Sequence, residues 1–249
     1  KLSTLEKSPL RRECHSVKEP CEFFEDTIKL ATFGDSHVVE LSYALAEYFR
    51  PFGYGIQQNS YSGCPPNISI TEKYCKEWTL NTIERINSDK RIKGVIISYY
   101  LSYYLSENNT ERNNQWKDLL KIMNKFSSAG KKVFFLLQPP ALKAAIDRQV
   151  LLNGPNQVIG LTREKWIQKN NYVLNRLHEL PEETIVLDST KIFCDNANCF
   201  SGDEDGYYYF DTHHLSLYGA RKLVNQIAQN NEIVKLIFNM KPEIFPNKD

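Results

Sequence analysis

Short apolar runs alternate along this chain with longer segments in which apolar positions recur at helical spacing. The first run, at 28–33, is followed by a segment at 36–50 whose apolar side chains suit a helix packed on a sheet. Pro51 and Gly53 then end that helix. The same pattern predicts further strands at 55–61, 94–100, 132–138 and 184–188, and further helices at 73–87, 112–128, 163–179 and 217–230.

This alternation predicts an α/β fold with about five parallel strands and helices on both faces of the sheet. The run at 94–100 is almost continuously apolar, which is typical of a buried parallel strand. Right-handed crossovers place the carboxyl ends of parallel strands at one edge of the sheet. We therefore expect Ser36, Gly63, Tyr99 and Tyr100, which lie at or beyond the ends of strands, to meet at that edge.

The chain is interpreted as a lead-in segment and one domain. Residues 1–27 are charged and rich in cysteine and proline, which predicts an irregular, disulfide-bearing segment before a single domain at 28–249. Residues 141–160 lack clean periodicity and are interpreted as an insertion or lid. A domain of this length can bury a full core without a metal ion or a second subunit.

Charge excludes some classes of partner. Lysine and arginine number 31 against 30 aspartates and glutamates, so the formal net charge is +1. This balance gives no electrostatic reason to expect nucleic acid or an anionic membrane surface as a partner. The chain also shows no metal-ligand spacing and no phosphate-binding glycine loop, so we expect neither a metal nor a cofactor.

Six cysteines fall into three pairs that are close in sequence, none spaced like the pairs of a structural zinc site. Pairing by proximity is a hypothesis, because six cysteines allow about 15 connectivities. Three disulfides favour an oxidising compartment, either the periplasm or the cell exterior, whereas six reduced thiols would indicate a cytosolic protein. The expected pairs are Cys14–Cys21, Cys64–Cys75 and Cys194–Cys199.

The given sequence begins at Lys1, without a signal-peptide pattern. Its longest apolar stretch, 94–105, is interrupted by serines and is shorter than the roughly 20 residues that span a bilayer. We interpret the chain as either a mature exported protein or a soluble piece of a longer one.

Two short segments carry the candidate chemistry. Ser36, at a predicted strand-to-helix turn, would expose its hydroxyl near helix N-terminal amides. Asp211 precedes His214 by three residues, which is close enough to orient the imidazole. Serine, imidazole and carboxylate together are the groups of a serine acyl-transfer site. The alternatives are structural: Ser36 as a helix N-cap, and the second segment as a capped helix start.

In that site His214 is the base, Asp211 its orienter, and the backbone amides of Ser36 and Gly63 hold the oxyanion. His213 competes with His214 for the role of base. The Asp-x-x-His spacing favours His214, and His213 is expected to line the site or face solvent.

These segments resemble the SGNH (GDSL-like) hydrolases over about residues 28–230. They are most similar to the SGNH domain fused behind integral-membrane acyltransferases of the acyltransferase-three type. The resemblance implies a three-layer α/β/α, flavodoxin-like fold and the use of Ser36, Asp211 and His214 as catalytic residues. The residues that carry it are Gly34-Asp35-Ser36-His37, Ser62-Gly63-Cys64-Pro65-Pro66 and Asp211-x-x-His214-Leu215-Ser216-x-x-Gly219-Ala220.

The same resemblance implies a function: O-acetylation of surface carbohydrates such as lipopolysaccharide O-antigen. The expected partners are an acyl donor, a carbohydrate acceptor and an N-terminal integral-membrane acyltransferase domain of the same polypeptide. The expected location is periplasmic or extracellular. Two other functions stay open: a secreted carbohydrate acetylesterase that uses the same residues, and a degenerate SGNH fold that only binds glycans.

One block departs from the family pattern. SGNH hydrolases carry an oxyanion-binding asparagine after the third strand, but 97–102 contains none. Loss of one oxyanion donor costs about 100- to 1000-fold in turnover. Either another donor substitutes, or the site is slow, or it is built for a different acceptor. Asn59, Ser98 and Tyr99 are the candidate side-chain replacements. The candidate substrate contacts are these three together with His37, Tyr100 and Tyr209, although core packing is the alternative explanation for the tyrosines.

Overall fold

The protein was analysed as a computed structural model, which describes residues 5–24, 26–106, 109–153 and 159–238. A six-stranded sheet runs through it in the order β1-β3-β2-β4-β5-β7, and β6 and β8 form a separate antiparallel pair. The strands are β1 (Cys21–Phe23), β2 (Ile28–Gly34), β3 (Gly55–Ser60), β4 (Gly94–Ser98), β5 (Lys132–Leu137), β6 (Ile159–Thr162), β7 (Ile185–Asp188) and β8 (Asn198–Phe200).

Helices connect these strands and cover the sheet. Five strands of the main sheet are parallel, and only the short edge strand β1 runs antiparallel to its neighbour β3. The helices are α1 (Arg11–Cys14), α2 (Val39–Phe49), α3 (Lys73–Ser88), α4 (Leu101–Tyr104), α5 (Arg112–Ser128), α6 (Ile146–Asn153), α7 (Arg163–Leu174), α8 (Thr190–Phe193), α9 (Leu217–Ile227) and α10 (Asn231–Phe238).

The alternation of side chains along β2 explains why the sheet needs cover on both faces. Leu30 packs in the core formed with α2 and α9, and the Thr32 hydroxyl bonds Ser42 on α2 at 2.6 Å. Ala31 and Phe33 point the other way, into the core formed with α3 and α5. The predicted α/β/α fold with five parallel strands is confirmed.

The structure corrects three predicted segments. The lead-in is not wholly irregular, because α1 and β1 lie within it and β1 extends the sheet. The predicted insertion or lid at 141–160 contains α6 and the start of β6. Its residues 154–158 lie outside the described residues. The same is true of 1–4 in the predicted lead-in and 239–249 in the predicted domain. The predicted helix 163–179 ends at Leu174 in α7, and a separate 3-10 turn follows at Leu177–Glu179.

Three disulfides join Cys14 to Cys21, Cys64 to Cys75, and Cys194 to Cys199, as the proximity pairing predicts. The first ties α1 to β1, and the second anchors the loop that follows β3. Within the described ranges, no helix has the length and hydropathy that crossing a membrane requires.

Candidate active site

The turn after β2 holds the candidate nucleophile. A Cβ atom at Gly34 would lie 1.7 Å from the Ser98 carbonyl oxygen, so only glycine fits where β2 passes β4. The next residue, Asp35, caps a 3-10 turn at Ser36–Val38 by accepting from the His37 amide at 2.9 Å. Ser36 is therefore the first residue of a capped turn at the carboxyl end of the central strand.

The loop before α9 holds the base. Its Asp211 Oδ1 accepts from the amides of His213 and His214 at 2.9 and 2.8 Å, which fixes the carboxylate against the loop. The other oxygen, Oδ2, accepts from Nδ1 of His214 at 2.7 Å. Nε2 of His214 in turn lies 2.7 Å from Oγ of Ser36. The structure thus brings the three predicted residues into one continuous line of hydrogen bonds.

Electrostatics keep the Asp211 end of this line ionised. Burial acts to raise the pKa of Asp211, but the hydrogen bonds from the His214 ring and the two loop amides lower it well below its ordinary value. The group is a carboxylate at neutral pH and can only accept, so Nδ1 of neutral His214 carries the proton. The lone pair on Nε2 then faces the Ser36 hydroxyl, which is the arrangement of a general base.

A second carboxylate–imidazole pair lies inside the nucleophile turn. Asp35 is buried, and its Oδ1 accepts from Nδ1 of His37 at 2.9 Å while Oδ2 accepts from the Tyr100 amide at 3.1 Å. Burial acts to raise the pKa of Asp35, but the neighbouring His37 side chain and these hydrogen bonds lower it on balance. Asp35 therefore holds the nucleophile turn through His37 and holds the segment after β4 through the Tyr100 amide.

Aromatic rings extend from the His214 imidazole towards solvent. The His37 ring stacks on that of His214 with centroids 4.7 Å apart, and Nε2 of His37 lies 3.2 Å from Nδ1 of His213. Tyr100 stacks on His213 at 4.3 Å, and Tyr103, which is 64% exposed, stacks on Tyr100 at 5.6 Å. Burial, followed by the nearby His214 and His37, lowers the pKa of His213 to about 4.

A family model described as "SGNH domain (fused to AT3 domains)" matches residues 7–229. The chain belongs to this SGNH family. Its span covers the lead-in as well as the sheet, the nucleophile turn and the His214 loop. No curated protein matches the chain in sequence.

Solved structures of SGNH-like proteins share the fold. The periplasmic domain of a Salmonella ser. Paratyphi A lipopolysaccharide acetyltransferase aligns with a TM-score of 0.68 at 19% identity, over 89% of this chain and 91% of that one. Est24, a carbohydrate acetylesterase from Sinorhizobium meliloti, aligns at 0.50 and 14%, over 83% and 99%. The acetyl xylan esterase AlAXEase aligns at 0.51 and 17%, over 80% and 98%.

The backbone amides of Ser36 and Gly63 are the ones that the sequence predicts for an oxyanion. Gly63 lies in the exposed loop after β3 with a φ of +69°, a conformation that favours glycine. That loop is tied to the nucleophile turn, because the Tyr61 amide donates to the Gly34 carbonyl at 3.2 Å. Among the described residues, no backbone carbonyl or side-chain oxygen accepts from the amide of Gly63 or of Ser36.

Four of the six predicted substrate contacts are buried, and these predictions are corrected. Asn59 donates to the Thr32 carbonyl at 3.2 Å, inside the sheet, and Ser98 is 2% exposed. Tyr99 packs in the α3–α5 core and Tyr209 packs against Phe193 in the opposite core. Side chains this enclosed are not open to a substrate. His37 and Tyr100 do lie at it, because β4 ends at Ser98 and the chain then turns towards Asp35.

Sequence reasoning missed three residues near His214, two of which belong to the lead-in. Phe210 stacks on His214 with a ring angle of 4° and a centroid distance of 5.4 Å. Lys7 and Arg11 lie over the same Phe210 ring, 4.4 and 5.3 Å from its centroid. Of these three residues, only Phe210 could have been suspected from the sequence, because it directly precedes Asp211. The contacts of Lys7 and Arg11 join residues about 200 positions apart and had none.

Proposed function

We propose that this SGNH domain transfers an acyl group, with acetyl the expected one, from a donor to a hydroxyl of a cell-surface carbohydrate through an ester on Ser36. The observation that carries the proposal is the pair of 2.7 Å contacts that link Ser36 to His214 and His214 to Asp211. The solved structure of the Salmonella lipopolysaccharide acetyltransferase domain, which has the same fold, supports carbohydrate O-acetylation as the reaction.

In the first half-reaction Nε2 of His214 takes the Ser36 proton while Oγ attacks the donor carbonyl. Asp211 stabilises the imidazolium that forms, and the negative charge on the carbonyl oxygen is held by the amides of Ser36 and Gly63. The intermediate collapses, the donor's leaving group takes the proton from His214, and the acyl group stays as an ester on Oγ.

The second half-reaction repeats these steps with the acceptor. A sugar hydroxyl gives its proton to Nε2 of His214 and attacks the Ser36 ester. The tetrahedral intermediate expels Oγ, which recovers the proton from His214, and the acylated sugar leaves. Water in place of the sugar gives net hydrolysis. Competition between sugar and water for the same ester therefore decides whether the domain behaves as a transferase or an esterase.

The stacked rings favour a sugar over water. Tyr100 and Tyr103 form a platform that starts at His213 beside the catalytic imidazole and ends in solvent. Aromatic faces bind the apolar faces of pyranose rings while leaving the hydroxyl groups free for hydrogen bonds. Both faces of Tyr100 are covered, by His213 and Tyr103, so a sugar unit would stack on the outer face of Tyr103. An acceptor of several sugar units could then extend along the ring edges and present a hydroxyl next to His214.

We place the domain on the outer side of a membrane, behind an N-terminal acyltransferase domain of the same polypeptide that delivers the acyl group. The family model describes SGNH domains fused to AT3 domains, which supports that arrangement. Three disulfides agree with an oxidising location such as the periplasm. The acyl donor and the carbohydrate acceptor are the expected partners.

A secreted carbohydrate acetylesterase is the second candidate, because the same three residues complete a hydrolytic cycle with water alone. Two relatives in fold are a carbohydrate acetylesterase and an acetyl xylan esterase. The two candidates differ in the fate of the Ser36 ester, which is a measurable quantity.

The test is to supply p-nitrophenyl acetate with and without a mixture of oligosaccharide acceptors, and to measure released nitrophenol, free acetate and acetylated sugar. The proposal predicts acetylated sugar at the expense of free acetate, whereas acetate alone supports the esterase. Ser36→Ala should abolish both products. Ser128→Ala, at the exposed end of α5, is the matched control and should retain both. A Ser36→Ala variant with wild-type turnover would overturn the mechanism.

A further inference from the structure

Three imidazoles converge beside the nucleophile. His37, His213 and His214 each offer a ring nitrogen, and these nitrogens all lie within 4.8 Å of one another. They form the one such group of three or more histidine, cysteine or acidic side chains in the part of the chain that the structure describes. No local pattern in the sequence indicates this group, because position 37 and positions 213 and 214 are far apart along the chain.

The spacing of two of these nitrogens already fits a metal ion. Nε2 of His37 and Nδ1 of His213 are 3.2 Å apart. A tetrahedral zinc ion, with Zn–N distances of about 2.0–2.1 Å, holds two of its nitrogens about 3.3 Å apart. His213 is only half-buried, so its ring can rotate to direct its lone pair at a shared ion. His214 would complete a three-nitrogen face, with the fourth position open to water.

The carboxylates that accept hydrogen bonds from two of these imidazoles also suit a metal site. Nδ1 of His37 donates to Asp35 and Nδ1 of His214 donates to Asp211, at 2.9 and 2.7 Å. A carboxylate behind a histidine fixes the ring and makes its other nitrogen a better ligand, as in carboxylate–histidine–zinc arrangements. In both pairs the nitrogen left for a metal is Nε2.

The local charge favours a cation. Asp35 and Asp211 place two carboxylates behind the site, and the ion-pair partners of both in the described chain are histidines. Arg11, which lies over the Phe210 ring, is paired with Glu40 at 2.6 Å, and Lys7 lies over the same ring. A divalent ion would therefore meet two carboxylates, with Lys7 over the Phe210 ring as the nearby opposing charge.

We propose that His37, His213 and His214 form a binding site for a zinc-class divalent ion, and that the bound ion switches acyl transfer off. Nε2 of His214 cannot ligate the ion and accept the Ser36 proton at the same time, because both use the same lone pair. The ion is thus a reversible inhibitor that competes with the nucleophile for the base. The inhibitory consequence rests on the proposed function, whereas the binding site does not.

Binding is tested without catalysis, in the Ser36→Ala background. Co²⁺ added to this variant should give the visible absorption of a nitrogen-ligated tetrahedral ion, and Zn²⁺ should displace it. Replacing His213 by alanine in that background should weaken binding by at least about tenfold, the cost of a lost ligand contact. His178→Ala is the control, because His178 lies in the 3-10 turn before β7, the last strand of the sheet, and is not part of the histidine group. Absence of the absorption, or equal binding with and without His213, overturns the site.

Inhibition is tested in the chain with Ser36, using hydrolysis of p-nitrophenyl acetate in metal-buffered Zn²⁺. Micromolar free Zn²⁺ should inhibit, a chelator should restore the rate, and His213→Ala should shift the inhibition constant upward by at least about tenfold. Inhibition that is unchanged in His213→Ala contradicts the switch. An inactive protein that still binds Co²⁺ through His213 contradicts the proposed function but supports the metal site.

Discussion

Two carboxylate–imidazole pairs lie side by side in this SGNH domain, and they differ in what faces the far nitrogen of each imidazole. In the pair Asp211–His214, that nitrogen faces the Ser36 hydroxyl. In the pair Asp35–His37, it faces another imidazole, His213. The pairs also differ in burial, because the side chain of Asp211 is 37% exposed and that of Asp35 is 3% exposed.

This difference supports a separate role for each of the two carboxylate–imidazole pairs. The exposed pair can cycle between neutral and charged imidazole while substrate comes and goes, because loop amides hold Asp211 throughout. The buried pair holds the turn that presents Ser36 and ties it to the end of β4. We therefore assign proton transfer to the first pair and positioning to the second.

Removing the two imidazoles should give the largest contrast. His214→Ala removes the base, so acetyl transfer and hydrolysis should fall by about 10⁴-fold or more, to the rate that the oxyanion site and binding alone support. His37→Ala should cost at most about 100-fold, the size of a small displacement of the reacting groups. Steady-state kinetics on p-nitrophenyl acetate measure both. Equal losses would show that the assignment of roles is wrong.

Replacing the two carboxylates should affect stability in the opposite order, with the larger loss in the Asp35–His37 pair. Asp35→Ala leaves His37 and the Tyr100 amide without a buried partner and should lower the free energy of unfolding by about 3–5 kcal/mol. Asp211→Ala should cost less, because water reaches that carboxylate. Urea unfolding with the disulfides intact checks both. A larger loss for Asp211→Ala would contradict the positioning role of Asp35.

The same carboxylate gives stability a pH dependence of known sign. The pKa of Asp35 is lower in the folded protein than its ordinary value, so the unfolded chain binds its proton first as the pH falls. The stabilisation is complete well above the unfolded pKa of about 3.9 and is lost as the pH falls through the folded value. The stability gap between wild type and Asp35→Asn should therefore be largest near neutral pH and should shrink in acid. A gap that widens in acid would reverse the sign.

The smallest expected effect concerns the aromatic platform. Tyr103→Ala removes an exposed ring, and since aromatic stacking contributes about 0.5–1.5 kcal/mol, KM for a sugar acceptor should rise about two- to tenfold. Tyr103→Phe keeps the ring and is the matched control. The kinetics of acetylated-sugar formation measure both variants. An alanine variant that matches the phenylalanine variant would remove Tyr103 from acceptor binding.

Sequence patterns could predict which strand ends carry candidate site residues, but not the direction in which each side chain points. The parallel strands predicted that Ser36 and Gly63 lie at the same edge of the sheet. The three-residue spacing predicted that Asp211 can contact His214. Tyr99 and Tyr100 are adjacent in sequence, yet one is in the core and the other is at the site. That outcome depends on β4 ending at Ser98, where the Tyr100 amide turns to Asp35, a contact across 65 residues.

Long-range contacts account for the other missed features. The lead-in looked irregular because α1 and β1 are too short to show periodicity, and their position is set by a disulfide and by pairing with β3. The contact between His37 and His213 spans 176 residues. Neither feature has a local pattern, so only the folded chain shows them.

The central claim is that Ser36 carries the acyl group. The most direct measurement is mass spectrometry of the domain quenched in acid during turnover of p-nitrophenyl acetate, followed by peptide mapping. We predict one added acetyl group, on the peptide that contains Ser36, that accumulates without acceptor and disappears when acceptor is supplied. Acetate or acetylated sugar formed with no ester on Ser36, or an ester only at another residue, would contradict the account.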